Sequence, residues 1–241
     1  MVRFDISWRR YLLPPLDREG KWFAGGFALV ALALYWLHPL LGLGGAVLTV
    51  WCFFFFRDPP RMIPDATETP GLLIAPASGV VQMLGNAVPP PELELGDTAV
   101  PRLSIFMSVF DCHVNRVPCA GSISKIAYHK GKFLSASDDK ASDDNERNSV
   151  LLRCSDGRRV AMVQIAGLVA RRIRCDLTEG KTVTMGERLG LIRFGSRVDV
   201  YLPSGGQFLA IPGQVTVSGE TVIADLDGTG AHRTGSLDGG A

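Results

Sequence analysis

A glycine–serine pair, Gly195-Ser196, opens a stretch that runs into an alternating apolar strand of Val198, Val200 and Leu202. A serine hydroxyl is a nucleophile that needs a base, and the glycine before it has no Cβ, so the backbone there can take strained angles. Read alone, the pair is a bulge or turn before a strand. The natural base is a histidine, and the chain has four: His38, His113, His129 and His232. His113 follows Asp111 by two residues, so in a strand the two share a face and the carboxylate can orient the ring. By residue type alone, a core histidine beside a surface aspartate fits equally well. His129, next to Lys130 and Lys132, reads as a solvated loop residue. His38 and His232 fall in a turn and a tail.

Several chemistries find no support. The five cysteines are an odd number without a Cys-x-x-Cys spacing, which argues against a disulfide framework or a zinc site and fits a reducing compartment. Cys112 and Cys119 read as small buried hydrophobes. A net charge of +1 gives no electrostatic pull toward nucleic acid. No Gly-x-Gly-x-x-Gly or Walker loop is present.

The elements that must position these residues come in two kinds. Residues 22–56 are almost wholly apolar, interrupted by His38-Pro39. One unbroken helix of that length would run to roughly 52 Å, well beyond a hydrocarbon core of about 30 Å. Pro39 and the cluster Gly42, Gly44 and Gly45 are expected to break it into two helices of about 15–17 residues. Neither half has a polar face, which favours a membrane hairpin, spanning or re-entrant, over a buried core hairpin. Arg9, Arg10, Arg18 and Lys21 before it, with Arg57 and Arg61 after it, put both ends in the cytoplasm. The segment does not fit a cleaved signal peptide.

From residue 71 onward, short apolar runs punctuated by Gly, Pro and Asp predict strands. The expected division is a cytoplasmic segment 1–21, the hairpin 22–56, a proline-rich linker 57–70, a β domain 71–226 and a disordered tail 227–241. The fold class is α+β, mainly β: a barrel-sandwich-like antiparallel core preceded by the hydrophobic helical hairpin. Residues 214–217 and 221–226 are expected to form a hairpin about Ser218-Gly219-Glu220, and 89–97 a surface loop. Residues 141–148 and 166–172 resist a strand assignment.

Five blocks in order carry a resemblance. They are Phe53-Phe-Phe-Phe-Arg-Asp-Pro-Pro-Arg61; Phe106-Met-Ser-Val-Phe-Asp-Cys-His-Val-Asn-Arg-Val-Pro118; Tyr128-His-Lys-Gly-Lys132 with Asn145-Glu-Arg-Asn148; Gln164-Ile-Ala-Gly-Leu-Val-Ala-Arg-Arg172; and Gly195-Ser196. Together they resemble the short, membrane-associated phosphatidylserine decarboxylase proenzymes of bacteria.

The resemblance implies that Ser196 attacks the carbonyl of Gly195, turning the amide into an ester that eliminates. A pyruvoyl group derived from Ser196 would serve as the cofactor, with no metal. It would hold phosphatidylserine as a Schiff base and yield phosphatidylethanolamine. Two chains, 1–195 and 196–241, would stay together as a heterodimer, with a higher oligomer left open. The catalytic domain would sit on the cytoplasmic side of the inner membrane. His113 is expected to move protons with Asp111, and Arg116, Lys132, Asn145 and Arg147 to bind substrate.

Two departures from the family pattern matter. Ser78 stands where many relatives carry an aspartate assigned to the self-cleavage relay, and Arg116 replaces a second histidine. An Asp-His-Ser relay therefore does not transfer. His113 is left to activate Ser196, with Arg116 stabilising the oxyanion or the substrate carboxylate. The competing readings are a decarboxylase of another serine-headgroup lipid, such as archaetidylserine, and an uncleaved, membrane-tethered lipid-binding β domain.

Overall fold

The structure, a computed structural model, describes residues 14–65, 71–131, 145–167, 172–193 and 196–229. Gly195, Lys132, residues 141–144 and 168–171, and the tail from 230 lie outside the described residues. The chain divides into two compact units. One holds residues up to Pro60 with Phe110–His113; the other holds the rest.

In the first unit, helix α1 (Arg18–Leu37) and helix α2 (Pro39–Phe55) form the expected hairpin. It starts four residues before the apolar run, because the Asp17 side chain accepts the Glu19 N–H at 2.8 Å and caps the free end. The break falls at His38, which is extended (φ −161°) and caps α2 by accepting the Leu40 N–H on Nδ1. Pro39 takes the first helical position, where its missing N–H costs nothing.

Contrary to the expectation from sequence, the glycines do not break the run; they sit inside α2 and let the helices touch. A Cβ on Gly45 would lie 2.7 Å from Ala31 Cα, and one on Gly42 2.6 Å from Tyr35 Cα. The outer surface is apolar on all sides: Trp22, Leu29, Trp36, Leu40, Leu43 and Val47 are exposed. Among the described residues α1 alone is long and apolar enough to cross a membrane, and α2 is a shorter apolar helix.

The second unit is mainly antiparallel β. An eight-stranded sheet, curled as a half-barrel, runs in the order β13 (Val215–Thr216), β2 (Gly79–Ala87), β3 (Val100–Met107), β11 (Ser196–Tyr201), β7 (Arg159–Ala166), β6 (Arg147–Cys154), β5 (Gly121–His129), β9 (Thr182–Val183). Two three-stranded sheets accompany it. One is β1 (Leu72–Ile74), β14 (Val222–Asp225) and β12 (Gln207–Phe208); the other is β4 (Val114–Arg116), β10 (Arg188–Ile192) and β8 (Ile173–Cys175).

Register sorts the side chains by face. Val198 and Val200 of β11 stand opposite Ile105 and Leu103 of β3 and join the main core. Tyr201 faces the other way, onto Leu93, Leu151, Val163 and Ile165. The 89–97 segment is a surface loop with a short 3-10 turn at Pro91–Leu93, anchored by the buried Leu93 and the Glu92 ion pair.

The expected hairpin across Ser218-Gly219-Glu220 does not form. β13 pairs with β2, while β14 pairs with β1 and β12. Ser218 explains the divergence: its hydroxyl donates to Pro76 O at 3.0 Å, and its N–H donates to Ser78 Oγ at 3.0 Å. The turn is tied to the 76–78 loop instead of to a partner strand, and Ser78 is the acceptor that holds it.

Candidate active site

Ser196 is the first residue of β11 and is bonded into the sheet on both sides, opposite Met107 of β3 and Ala166 of β7. It shares the core face with Val198 and Val200, and its residue exposure is zero. Among the described residues its Oγ has no hydrogen-bond partner. A buried hydroxyl without a partner costs about 1–3 kcal/mol, which makes Ser196 a candidate for a functional role.

Beyond its apolar register partners Met107 and Ala166, buried polar side chains gather at this end of the sheet. Asn145, fully buried, donates from Nδ2 to the carbonyl of Ala166 at 2.9 Å. Gln164 and Asn148, one register step further along, are hydrogen-bonded to each other and lead to Asn115 of β4. Immediately behind Ser196, on the opposite face, Arg197 and Asp199 form an ion pair with no exposure at either side chain, Nε to Oδ1 at 2.9 Å.

Asp111 and His113 belong to the hairpin unit and lie outside any strand, so the shared strand face does not arise. His113 Nδ1 lies 3.0 Å from the backbone carbonyl of Asp111. A carbonyl only accepts, so Nδ1 carries the hydrogen and Nε2 presents a lone pair. Nε2 is buried, with no hydrogen-bond partner among the described residues. Phe55 stacks on the ring, with centroids 4.1 Å apart and planes 28° from parallel. Arg57 donates to Phe110 O, and Cys112 Sγ to Arg57 O, pinning the turn to the end of α2. Burial drives the His113 pKa down to about 4, against the raising effect of Asp111 and with a smaller lowering by Arg57. At neutral pH the ring is uncharged and can take a proton.

The remaining candidates are scattered. Arg116 donates from Nη1 to Gly186 O at 3.1 Å, and alternates along β4 with Asn115. Arg147 stands opposite Ile165, on the sheet face away from Ser196, and forms a two-point pair with Glu92 at 2.7 and 3.0 Å. Among the described residues no group of three or more His, Cys, Asp or Glu side chains could hold a metal ion. The five cysteines are free thiols, with the sulfurs of Cys119 and Cys154 2.8 Å apart.

A family model described as phosphatidylserine decarboxylase matches residues 48–224. The chain belongs to the phosphatidylserine decarboxylase family. It is similar to proteins named phosphatidylserine decarboxylase proenzyme. The one from Rhodospirillum rubrum is 55% identical over 98% of this chain and 100% of the relative. The one from Paramagnetospirillum magneticum is 56% identical over 97% and 96%, and that from Cereibacter sphaeroides 55% over 93% and 95%. The phosphatidylserine decarboxylase match begins inside α2, so it takes in Phe55 and His113 as well as Ser196. Sequence reasoning missed the stacking of Phe55 on His113 and, in the other unit, the hydrogen-bonded amides Asn115 and Gln164. All three lie in the blocks quoted above, but nothing local in those blocks says which strands meet.

Proposed function

We propose that this chain is a proenzyme that cuts itself between residues 195 and 196 and then decarboxylates phosphatidylserine to phosphatidylethanolamine. The observation that carries the reading is the Ser196 hydroxyl, fully buried and without a partner among the described residues, at the head of a strand held on both sides. A group of that kind fits a pyruvoyl precursor: it is shielded from water and its backbone cannot drift. The shared name of the relatives supports both the substrate and the proenzyme form.

The chain's own residues supply the rest. His113, neutral with Nε2 as the basic nitrogen, takes the Ser196 Oγ proton during self-cleavage and later returns a proton to the product carbon. Its depressed pKa makes the charged ring a strong acid, which favours that return. The pyruvoyl group, once formed, supplies the electron sink for loss of carbon dioxide. Arg116 and Lys132 are the basic groups we assign to the anionic headgroup, while Arg147, paired with Glu92, braces the sheet. β11 keeps its twelve register partners, six on each neighbouring strand, across a cut at its head, so 196–241 stays docked. The apolar hairpin holds the enzyme at the cytoplasmic face of the membrane, where the lipid substrate is.

Denaturing mass spectrometry with peptide mapping tests the reading. Two chains, meeting between 195 and 196 with a pyruvoyl-blocked short chain, are expected, and Ser196→Ala should stay whole. A wild-type chain that stays intact for days at neutral pH overturns it and leaves a tethered binding domain.

A further inference from the structure

Three buried amides stand in a line on the Ser196 side of the sheet. Asn148 Nδ2 donates to Gln164 Oε1 at 2.9 Å, and Gln164 Nε2 donates to Asn115 Oδ1 at 2.8 Å. Asn115 Nδ2 then points at Met107 Sδ, 3.6 Å away. Asn115 and Gln164 have no exposure and Asn148 has 2%. The line has a direction. Each amide offers its oxygen to the NH2 group before it, so Gln164 leaves Asn115 only one orientation, with its NH2 group at the far end. There, among the described residues, the acceptor is a thioether, one of the weakest in the side-chain inventory.

A buried donor facing so poor an acceptor is costly to keep. Met107 is the direct register partner of Ser196, and directly opposite residues share a face. The donor therefore ends at the register partner of the reacting residue, where none of the described residues offers a strong acceptor and the reaction would make one. The carbonyl carbon of residue 195 is bonded to Ser196 N, roughly 2.4 Å from Ser196 Cα by standard bond lengths. An oxyanion on that carbon would be such an acceptor.

We propose that Asn115 Nδ2 is the hydrogen-bond donor to the oxyanion formed when Ser196 Oγ adds to the carbonyl of residue 195. Gln164 and Asn148 are positioning residues that hold the amide donor-first. The proposal rests on the self-cleavage reading above. In this step the Oγ proton passes to the base, the Oγ–C bond forms and the carbonyl π pair moves onto oxygen. Collapse of the anion breaks the C–N bond, and nitrogen takes the proton from the base. The amide has become an ester, with no co-reactant consumed. Asn115 stabilises the charged oxygen and bonds neither the starting hydroxyl nor its proton, so its effect falls on the rate of ester formation.

The test follows the cutting of freshly made proenzyme by denaturing mass spectrometry. Asn115→Leu removes the donor at similar volume; Asn115→Asp keeps the shape and the acceptor for Gln164 but also lacks the donor. Both should slow cutting by about 10²–10³-fold, the usual effect of losing one such donor. Gln164→Met, which releases Asn115 without touching it, should slow cutting by a smaller factor. The double variant should be no slower than Asn115→Leu alone, because the two act as one unit.

Hydroxylamine, which splits an accumulated ester to leave a hydroxamate at residue 195, should not restore cutting in Asn115→Leu. Cutting of both Asn115 variants within threefold of wild type overturns the proposal. So does rescue by hydroxylamine, or simple addition of the two defects in the double variant. If Asn115→Leu does not fold, Asn115→Asp and Gln164→Met decide the matter. An uncut wild-type chain removes the self-cleavage reading and this proposal together; normal wild-type cutting with fast Asn115 variants removes this proposal alone.

Discussion

Phe55, the last residue of α2, lies nearly flat against His113, with ring centroids 4.1 Å apart. The contact joins the end of the apolar hairpin to the histidine to which we assign the proton transfer. It also accounts for the ring's burial, the largest cause of its depressed pKa. Replacing Phe55 by Leu shrinks the cover and lets water nearer. The His113 pKa should then rise from about 4 toward its ordinary 6.5. The acid limb of the self-cleavage rate, followed from pH 3 to 8, should move up with it. A limb that stays in place in Phe55→Leu would mean that the rate does not report His113.

The same burial makes stability depend on pH. The His113 pKa is lower folded than unfolded, so between 6.5 and about 4 the unfolded chain binds the extra proton. Its contribution is therefore full above pH 6.5 and is lost progressively as pH falls to about 4, by up to about 3 kcal/mol. In detergent micelles the thermal midpoint of the uncut Ser196→Ala chain should fall across that window. Ser196→Ala/His113→Asn should show a flatter curve there.

Glu92 and Arg147 form a pair at 2.7 and 3.0 Å, with Ser149 Oγ donating to the same carboxylate at 2.9 Å. Burial would raise the Glu92 pKa, but these donors outweigh it and bring the value down to about 2. The pair's contribution is present above pH 4.5 and is lost as pH falls toward 2. Glu92→Gln leaves Arg147 buried against a neutral partner and should cost about 3–5 kcal/mol in denaturant melts. Glu92→Leu with Arg147→Met should recover most of that loss, because neither charge is then stranded.

Arg197 and Asp199 are completely buried, directly behind Ser196. Asp199→Asn strips the charge from Arg197's partner. After cutting, the short chain should separate from the long one at lower denaturant than in wild type, read by size-exclusion chromatography. Arg197→Met/Asp199→Leu should hold the chains together better than Asp199→Asn does.

Gly45 packs its Cα against Ala31, and a Cβ there would come within 2.7 Å of both Ala31 Cα and Cβ. Gly45→Leu should therefore force the two helices apart. We expect faster proteolysis near residues 38–45 and a several-fold loss of protein from the membrane fraction. Gly44→Leu should do neither, because a Cβ on Gly44 meets nothing within 4 Å.

What the sequence by itself determined was local in origin. Apolar length without a polar face set the hairpin, and period-2 alternation at Val198, Val200 and Leu202 set the strand that carries Ser196. Residue chemistry nominated Ser196 and His113, and ordered motifs brought the family. Only the tertiary structure decided who stands beside them.

Asn115, Asn148 and Gln164 meet because β4, β6 and β7 converge, and Phe55 meets His113 across 58 residues of chain. Strand register and helix packing make those contacts, and neither leaves a periodic trace at the residues concerned. Gly42 and Gly45 show the same limit. Their composition reads as a break, but the close approach of a second helix makes them the contact itself. Likewise Ser218-Gly219-Glu220 has the residues of a hairpin turn, yet hydrogen bonds from Ser218 to Pro76 and Ser78 send the two strands to different sheets. A turn sequence specifies that the chain bends; what it bends toward is decided by the partners that satisfy its buried polar groups.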